Sequence, residues 1–175
     1  EELGLEAGLQ DRVAQVYEGL VFMDFSRDWF QRQGHGYYEP LDPALLPPLY
    51  MAFDRQCAQG SERVHNPLRV RFDQGEPAVV EGMRRFAALA TEARTLLLAG
   101  RGREIGPLMN ANYDLRATLM PIAPRNKAMV ETARACGATA KFAGSGGAII
   151  GTYDGEAMFQ RLRERLSAIG CHVFQ

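Results

Sequence analysis

Three places in the sequence carry residue types that could do chemistry. Asp11 stands in Gly8-Leu9-Gln10-Asp11-Arg12, near the start of a helical stretch. An acid there can simply complement the helix dipole. A carboxylate beside a cation is also a common arrangement for a general base held ionised. Asn112 interrupts the apolar stripe Ile105, Leu108, Leu115, Leu119. A buried amide must find partners or cost about 1–3 kcal/mol. Either Asn112 bridges helices, or its part of the stripe lines a site with Arg116 one turn on. The third place is Gly144-Ser145-Gly146-Gly147, between two short apolar-rich segments. It is a tight turn requiring positive φ, or a concave nest whose bare N–H groups meet an anion.

Other chemistries find little support. His35, His65 and His172 are isolated from one another, and Cys57, Cys136 and Cys171 lack metal-site spacing. The glycine run is not followed by the Lys-Ser/Thr of a Walker loop, and Ile149 stands where a dinucleotide fingerprint would have its third glycine. Twenty basic residues against twenty-one acidic ones leave a net charge of −1, so nothing favours nucleic acid or an anionic membrane as a partner. Apolar runs such as Thr95–Ala99 fall far short of the roughly 18 residues of a membrane span. An odd, widely spaced cysteine set reads as reduced thiols, which predicts a cytoplasmic protein. Hydrophobic residues make up 46% of the chain, enough for a real core.

The elements that must position these residues divide near residue 76. Before it the pattern is irregular: a helix over Leu9–Tyr17 ended by Gly19, a strand over Leu20–Phe25, and a polar, aromatic loop over Ser26–Gly36. The apolar run Leu46–Phe53 contains Pro47 and Pro48, which confine a strand to its later part or to an edge. At Leu68–Phe72 the alternation favours a strand, whereas Asn66 as a cap and Pro67 at the first helical position favour a short helix, which is expected here. After residue 76 the periodicity is clear. Val79, Met83, Phe86, Ala90, Ala93 and Leu97 mark a long helix, with Pro77 in its first turn and Gly100 beyond its end. A second helix carries Ile105–Leu119 and stops before Pro121. A third runs from Pro124 to Cys136. Strands at 138–143 and 148–153 flank the glycine run. A helix striped by Phe159, Leu162, Leu166 and Ile169 and a closing strand at 171–174 complete an α+β layer, helices on a small, mainly antiparallel sheet.

Taken in order, these segments resemble the GHMP small-molecule kinases. Gly8-Leu9-Gln10-Asp11-Arg12 followed by Tyr17-Glu18-Gly19 resembles their Gly-x-x-Asp segment, although Glu18 replaces the first glycine of the sugar-kinase Gly-Gly pair. Lys141–Ala148 resembles their glycine-rich third motif, and Leu108–Arg116 the helix before it. Phe22–Phe25 and Leu45–Tyr50 look most like glucuronokinase-type members of the sugar kinase branch. The resemblance implies a C-terminal portion with a ferredoxin-like sheet. Residues 1–76 would finish an N-terminal kinase domain, and 77–175 would form the C-terminal GHMP domain.

It further implies transfer of the γ-phosphate of ATP to a sugar hydroxyl. Asp11 would accept the proton with Arg12 beside it, Gly144, Ser145, Gly146 and Gly147 would face the phosphates, and Asn112 and Arg116 would line the sugar site. For a uronic acid, Arg71, Arg116 and Arg125 are candidate forks for the carboxylate. ATP and Mg²⁺ are implied, held largely by an upstream half whose glycine- and serine-rich ATP loop has no match here. The chain opens on Glu1-Glu2-Leu3-Gly4 rather than Met, and is expected to be part of a longer protein and inactive alone. Its exposed apolar face, including part of Leu20–Phe25, would meet the missing half or a second copy. A ligand-binding module without catalysis, or a kinase for fucose or a heptose phosphate, are the alternatives.

Overall fold

The structure, a computed structural model, describes residues 9–54 and 62–175, with backbone alone at 62–66. Cys57 and the side chain of His65 therefore lie outside the described residues. The chain falls into two compact units, one ending at Leu45 and the other running Leu46–Gln175.

In the first unit, α1 (Leu9–Val16) ends before Gly19, whose φ of +78° only glycine adopts without strain. Strand β1 (Leu20–Asp24) then pairs antiparallel with β2 (Tyr37–Leu41), from Leu20↔Leu41 to Asp24↔Tyr37. Between them lies α2 (Arg27–Gln33), where the sequence pattern suggests loop. Its seven residues are too few to show a period, but its ends are marked. Asp24 Oδ1 accepts the N–H of Ser26 at 2.8 Å, and Gly34 closes the helix in the left-handed conformation. Trp29 stacks on Tyr37 at 5.1 Å and donates its indole N–H to Asp24.

The second unit opens with β3 (Leu49–Phe53), the later part of the proline-containing run. It is not an edge strand: β5 and β6 flank it on its two sides. That pairing places 46–53 with the C-terminal elements, so the contacts divide at Leu45 rather than at residue 76. Helix α3 (Glu62–Asp73) begins earlier than expected and carries Pro67 inside it rather than at its start. Helices α4 (Pro77–Leu98) and α5 (Ile105–Leu119) pack together so closely that a Cβ on Gly82 would lie 2.5 Å from Leu119 Cδ1.

Then follow α6 (Pro124–Ala135), β4 (Lys141–Phe142), β5 (Ala148–Thr152), α7 (Gly155–Ala168) and β6 (His172–Phe174). The sheet order is β4-β5-β3-β6, antiparallel throughout. With helices interposed between β3 and β4 and between β5 and β6, this is the ferredoxin-like α+β arrangement. One sheet face is covered by α6 and α7. Met129, Val130 and Ala133 with Phe159, Leu162 and Leu166 enclose Tyr50, Ala52, Phe142 and Ile149. The other face carries Met51 and Phe174, both exposed, and Phe53 stacked between His172 and Phe174. Strand β1, part of which is expected to be exposed, is half-buried along its length. Among the described residues no helix is long and apolar enough to cross a membrane, and Cys136 and Cys171 are both buried.

Candidate functional site

Helix α5 lies beside strand β4 and grips the β4–β5 hairpin at two points. At its base, Asn110 Oδ1 accepts the N–H of Ala140 at 2.9 Å. Arg134 of α6 reinforces this point. It donates to the Asn110 carbonyl at 3.0 Å, pairs with Asp114 at 2.7 Å and lies over the ring of Tyr113. At the hairpin tip, Arg116 donates through Nη1 to the carbonyl of Gly144 (2.9 Å) and through Nη2 to that of Ser145 (2.7 Å). Its guanidinium sits 4.9 Å from the centroid of the Phe142 ring. Burial lowers the pKa of Arg116 from its ordinary value. It also lowers that of Lys141, helped by the nearby Arg116 charge; Lys141 Nζ donates to the Phe142 carbonyl at 2.7 Å.

The far end of the turn is held from α6 and β3. Asn126, buried, accepts the N–H of Gly147 at 3.0 Å, and the Asp54 N–H donates to the Gly147 carbonyl at 2.9 Å. Gly146 and Gly147 have φ of +151° and +76°. A Cβ on Gly146 would stand 2.8 Å from Asn126 Nδ2, so both conformation and space require glycine there.

The direction of the turn's peptide groups follows from these bonds. In a trans peptide the C=O of one residue and the N–H of the next point opposite ways, and there are no cis bonds among the described residues. With the carbonyls of Gly144 and Ser145 drawn to Arg116, the N–H groups of Ser145 and Gly146 project away from it. Neither donates to any described group. A pair of adjacent, unpaired amide donors is the arrangement that receives an anionic oxygen.

The other sequence candidates are placed as follows. Arg116 and Gly144–Gly147 come together directly. Asn112 is half-buried on α5, and its amide has no hydrogen-bond partner among the described residues; the amide that ties the helix to its neighbours is Asn110. The inward centre of α5 is Tyr113 instead. Asp11 and Arg12 belong to the first unit and are exposed in the opening turns of α1. Consecutive helix residues do not face each other, and no ion pair joins these two among the described residues.

All three arginines considered for a uronate carboxylate already have partners. Arg71 bonds both carboxylate oxygens of Glu76 and the Leu119 carbonyl, Arg125 pairs with buried Asp54, and Arg116 holds the turn. No group of three or more His, Cys, Asp or Glu that could hold a metal ion occurs among the described residues. Asn126 was missed at the sequence level. Its only signal is an amide one residue after Arg125 in a first helical turn.

Residues 93–170, which include α5, α6, the glycine turn and α7, match the family described as GHMP kinases C terminal. The chain carries a GHMP kinase C-terminal domain. Glucuronokinase 1 of Arabidopsis thaliana is 44% identical over 153 residues, taking in 86% of this chain and 42% of that protein. Probable glucuronokinase 2 of the same plant is also 44% identical, over 154 residues with the same coverage. The chain thus spans less than half the length of these relatives. These matches agree with the sugar kinase branch of the resemblance. Among solved structures, L. major mevalonate kinase in complex with R-mevalonate superposes with a TM-score of 0.68 at 19% identity, covering 82% of this chain and 45% of that one. Streptococcus pneumoniae phosphomevalonate kinase in complex with phosphomevalonate and AMPPNP gives 0.71 at 16%, covering 90% and 51%. At such identities the likeness shows the fold, and the fold is that of the GHMP C-terminal domain.

Proposed function

We propose that the chain is the C-terminal portion of an ATP-dependent sugar kinase, with glucuronate phosphorylated at its 1-hydroxyl as the preferred reaction. The observation that carries this reading is the Gly144–Gly147 turn, whose two outward amide donors lie within a chain 44% identical over 153 residues to Glucuronokinase 1 of Arabidopsis thaliana. In this reading the sugar hydroxyl oxygen attacks the γ-phosphorus of ATP. The bond to the β,γ-bridging oxygen breaks, ADP leaves, and Asp11 takes the hydroxyl proton. Arg12 contributes positive charge at the same helix end, and Asn112 offers an unused amide to a sugar hydroxyl.

Phosphoryl transfer depends on positioning and charge stabilisation more than on covalent chemistry. Amide donors fixed before substrate arrives require no reorganisation during the reaction. ATP fits the turn through these donors. No cluster of three or more His, Cys, Asp or Glu that could hold Mg²⁺ occurs among the described residues, and no step here depends on it. Because Arg71, Arg116 and Arg125 are engaged, carboxylate recognition falls to other groups. The 175-residue chain alone is expected not to turn over ATP, since the loop that cradles the β- and γ-phosphates has no match in it.

The test is the full-length protein, incubated with ATP and Mg²⁺ against glucuronate, galacturonate, fucose and a heptose phosphate, with sugar phosphate and ADP quantified. Glucuronate 1-phosphate in equal amount to ADP is the expected result. Phosphorylation of another sugar corrects the substrate, and no ADP with any sugar makes the protein a binding module.

A further inference from the structure

We propose that Arg116 is a positioning residue that fixes the polarity of the glycine turn, rather than a ligand of the sugar. The proposal rests on the kinase reading above and adds to it the part played by α5.

Arg116 spends its fork on two successive carbonyls, Gly144 and Ser145, at 2.9 and 2.7 Å. Its Nε is buried with no partner, and no carboxylate pairs with it among the described residues. Its charge is met by carbonyl dipoles and the Phe142 ring face. An uncompensated, desolvated cation is a poor device for stability alone. It is well suited to orienting peptides, because a rigid planar group with two parallel donors holds two neighbouring carbonyls in a fixed direction, which a rotating ammonium does not.

The consequence lies on the opposite side of the turn. Each peptide whose oxygen is bound to the guanidinium turns its hydrogen outward, and a cation at the oxygen end polarises the N–H end. Arg116 therefore both aims the Ser145 and Gly146 amides and strengthens them as donors, without itself touching the anion. Asn126 pins the next residue, Gly147, from α6. A peptide flip in the turn would have to break bonds at both ends.

The experiment compares wild type, Arg116→Lys and Arg116→Ala in the full-length protein. Kinetics with ATP and the accepted sugar are paired with amide hydrogen exchange over 143–148. With Arg116 acting through the turn, Arg116→Lys lowers kcat by about ten- to a hundredfold, less than the roughly 10²–10³-fold lost when an oxyanion donor is removed outright. The sugar KM stays within about twofold, because substrate binding is not what was lost. The Gly147 amide exchanges faster in both variants, and guanidinium added to Arg116→Ala restores part of kcat. A raised sugar KM with kcat held, or unchanged exchange and unchanged kcat, overturns the proposal. If wild type phosphorylates no sugar but the variants still loosen the turn, the clamp stands and the kinase reading fails. If wild type is active and exchange is unaffected, the clamp fails alone.

Discussion

Asn126 Oδ1 accepts the N–H of Gly147 at 3.0 Å, and Asn126 is 6% exposed. One amide side chain on α6 thus terminates the glycine turn from inside the domain. Asn126→Ala leaves a buried N–H without an acceptor, which costs about 1–3 kcal/mol. Urea unfolding of the full-length protein is expected to show that loss of stability. An unchanged midpoint would mean that the bond contributes nothing.

The glycines of the turn are not equivalent. A Cβ on Gly144 would meet nothing within 4 Å, whereas on Gly146 it would lie 2.8 Å from Asn126 Nδ2 at a φ of +151°. Gly144→Ala is therefore expected to retain activity within about threefold, since ordinary space and backbone await it. Gly146→Val is expected to abolish activity by straining the backbone and displacing Asn126. Equal effects of the two substitutions on kcat would remove the case for a shaped turn.

Asp11→Asn is expected to lower kcat by roughly 10²-fold or more, as loss of a general base does. Affinity for the ATP analogue AMPPNP, measured by calorimetry, is expected to change little. A kcat within a few-fold of wild type would leave Asp11 as a helix-dipole residue only.

Lys141 gives a pH signature. Burial, and then the Arg116 charge, lower its pKa in the folded chain below the ordinary 10.5. Between that lowered value and 10.5 the unfolded chain binds more protons, so this group's contribution to stability rises with pH across that window. Lys141→Met removes the contribution. The stability difference, wild type minus variant, is expected to become more favourable as pH rises toward 10.5. A flat difference would place Lys141 in water.

Much of the second unit was legible in the sequence, for a physical reason: α4–α7 are long enough to show their period, and each ends at proline or at a positive-φ glycine such as Gly100, Gly137 or Gly170. Helix α2 and strand β2 were not legible, being seven and five residues held by cross-contacts such as Trp29–Tyr37. In the site, the glycine turn was evident from composition. The inward amide was misplaced by two positions, because Asn110 and Asn112 both fit a helical stripe and only packing against Ala140 distinguishes them. The grip of Arg116 on carbonyls 28 and 29 residues away leaves no local trace.

That the outward amides of the Gly144–Gly147 turn hold the phosphates of ATP is the core of the proposed function. It is tested most directly by a crystal structure of the full-length protein with glucuronate and AMPPNP. The Ser145 and Gly146 amides are expected to direct their N–H groups at phosphate oxygens of the nucleotide, at about 2.7–3.2 Å. Phosphates bound away from Gly144–Gly147 would contradict it.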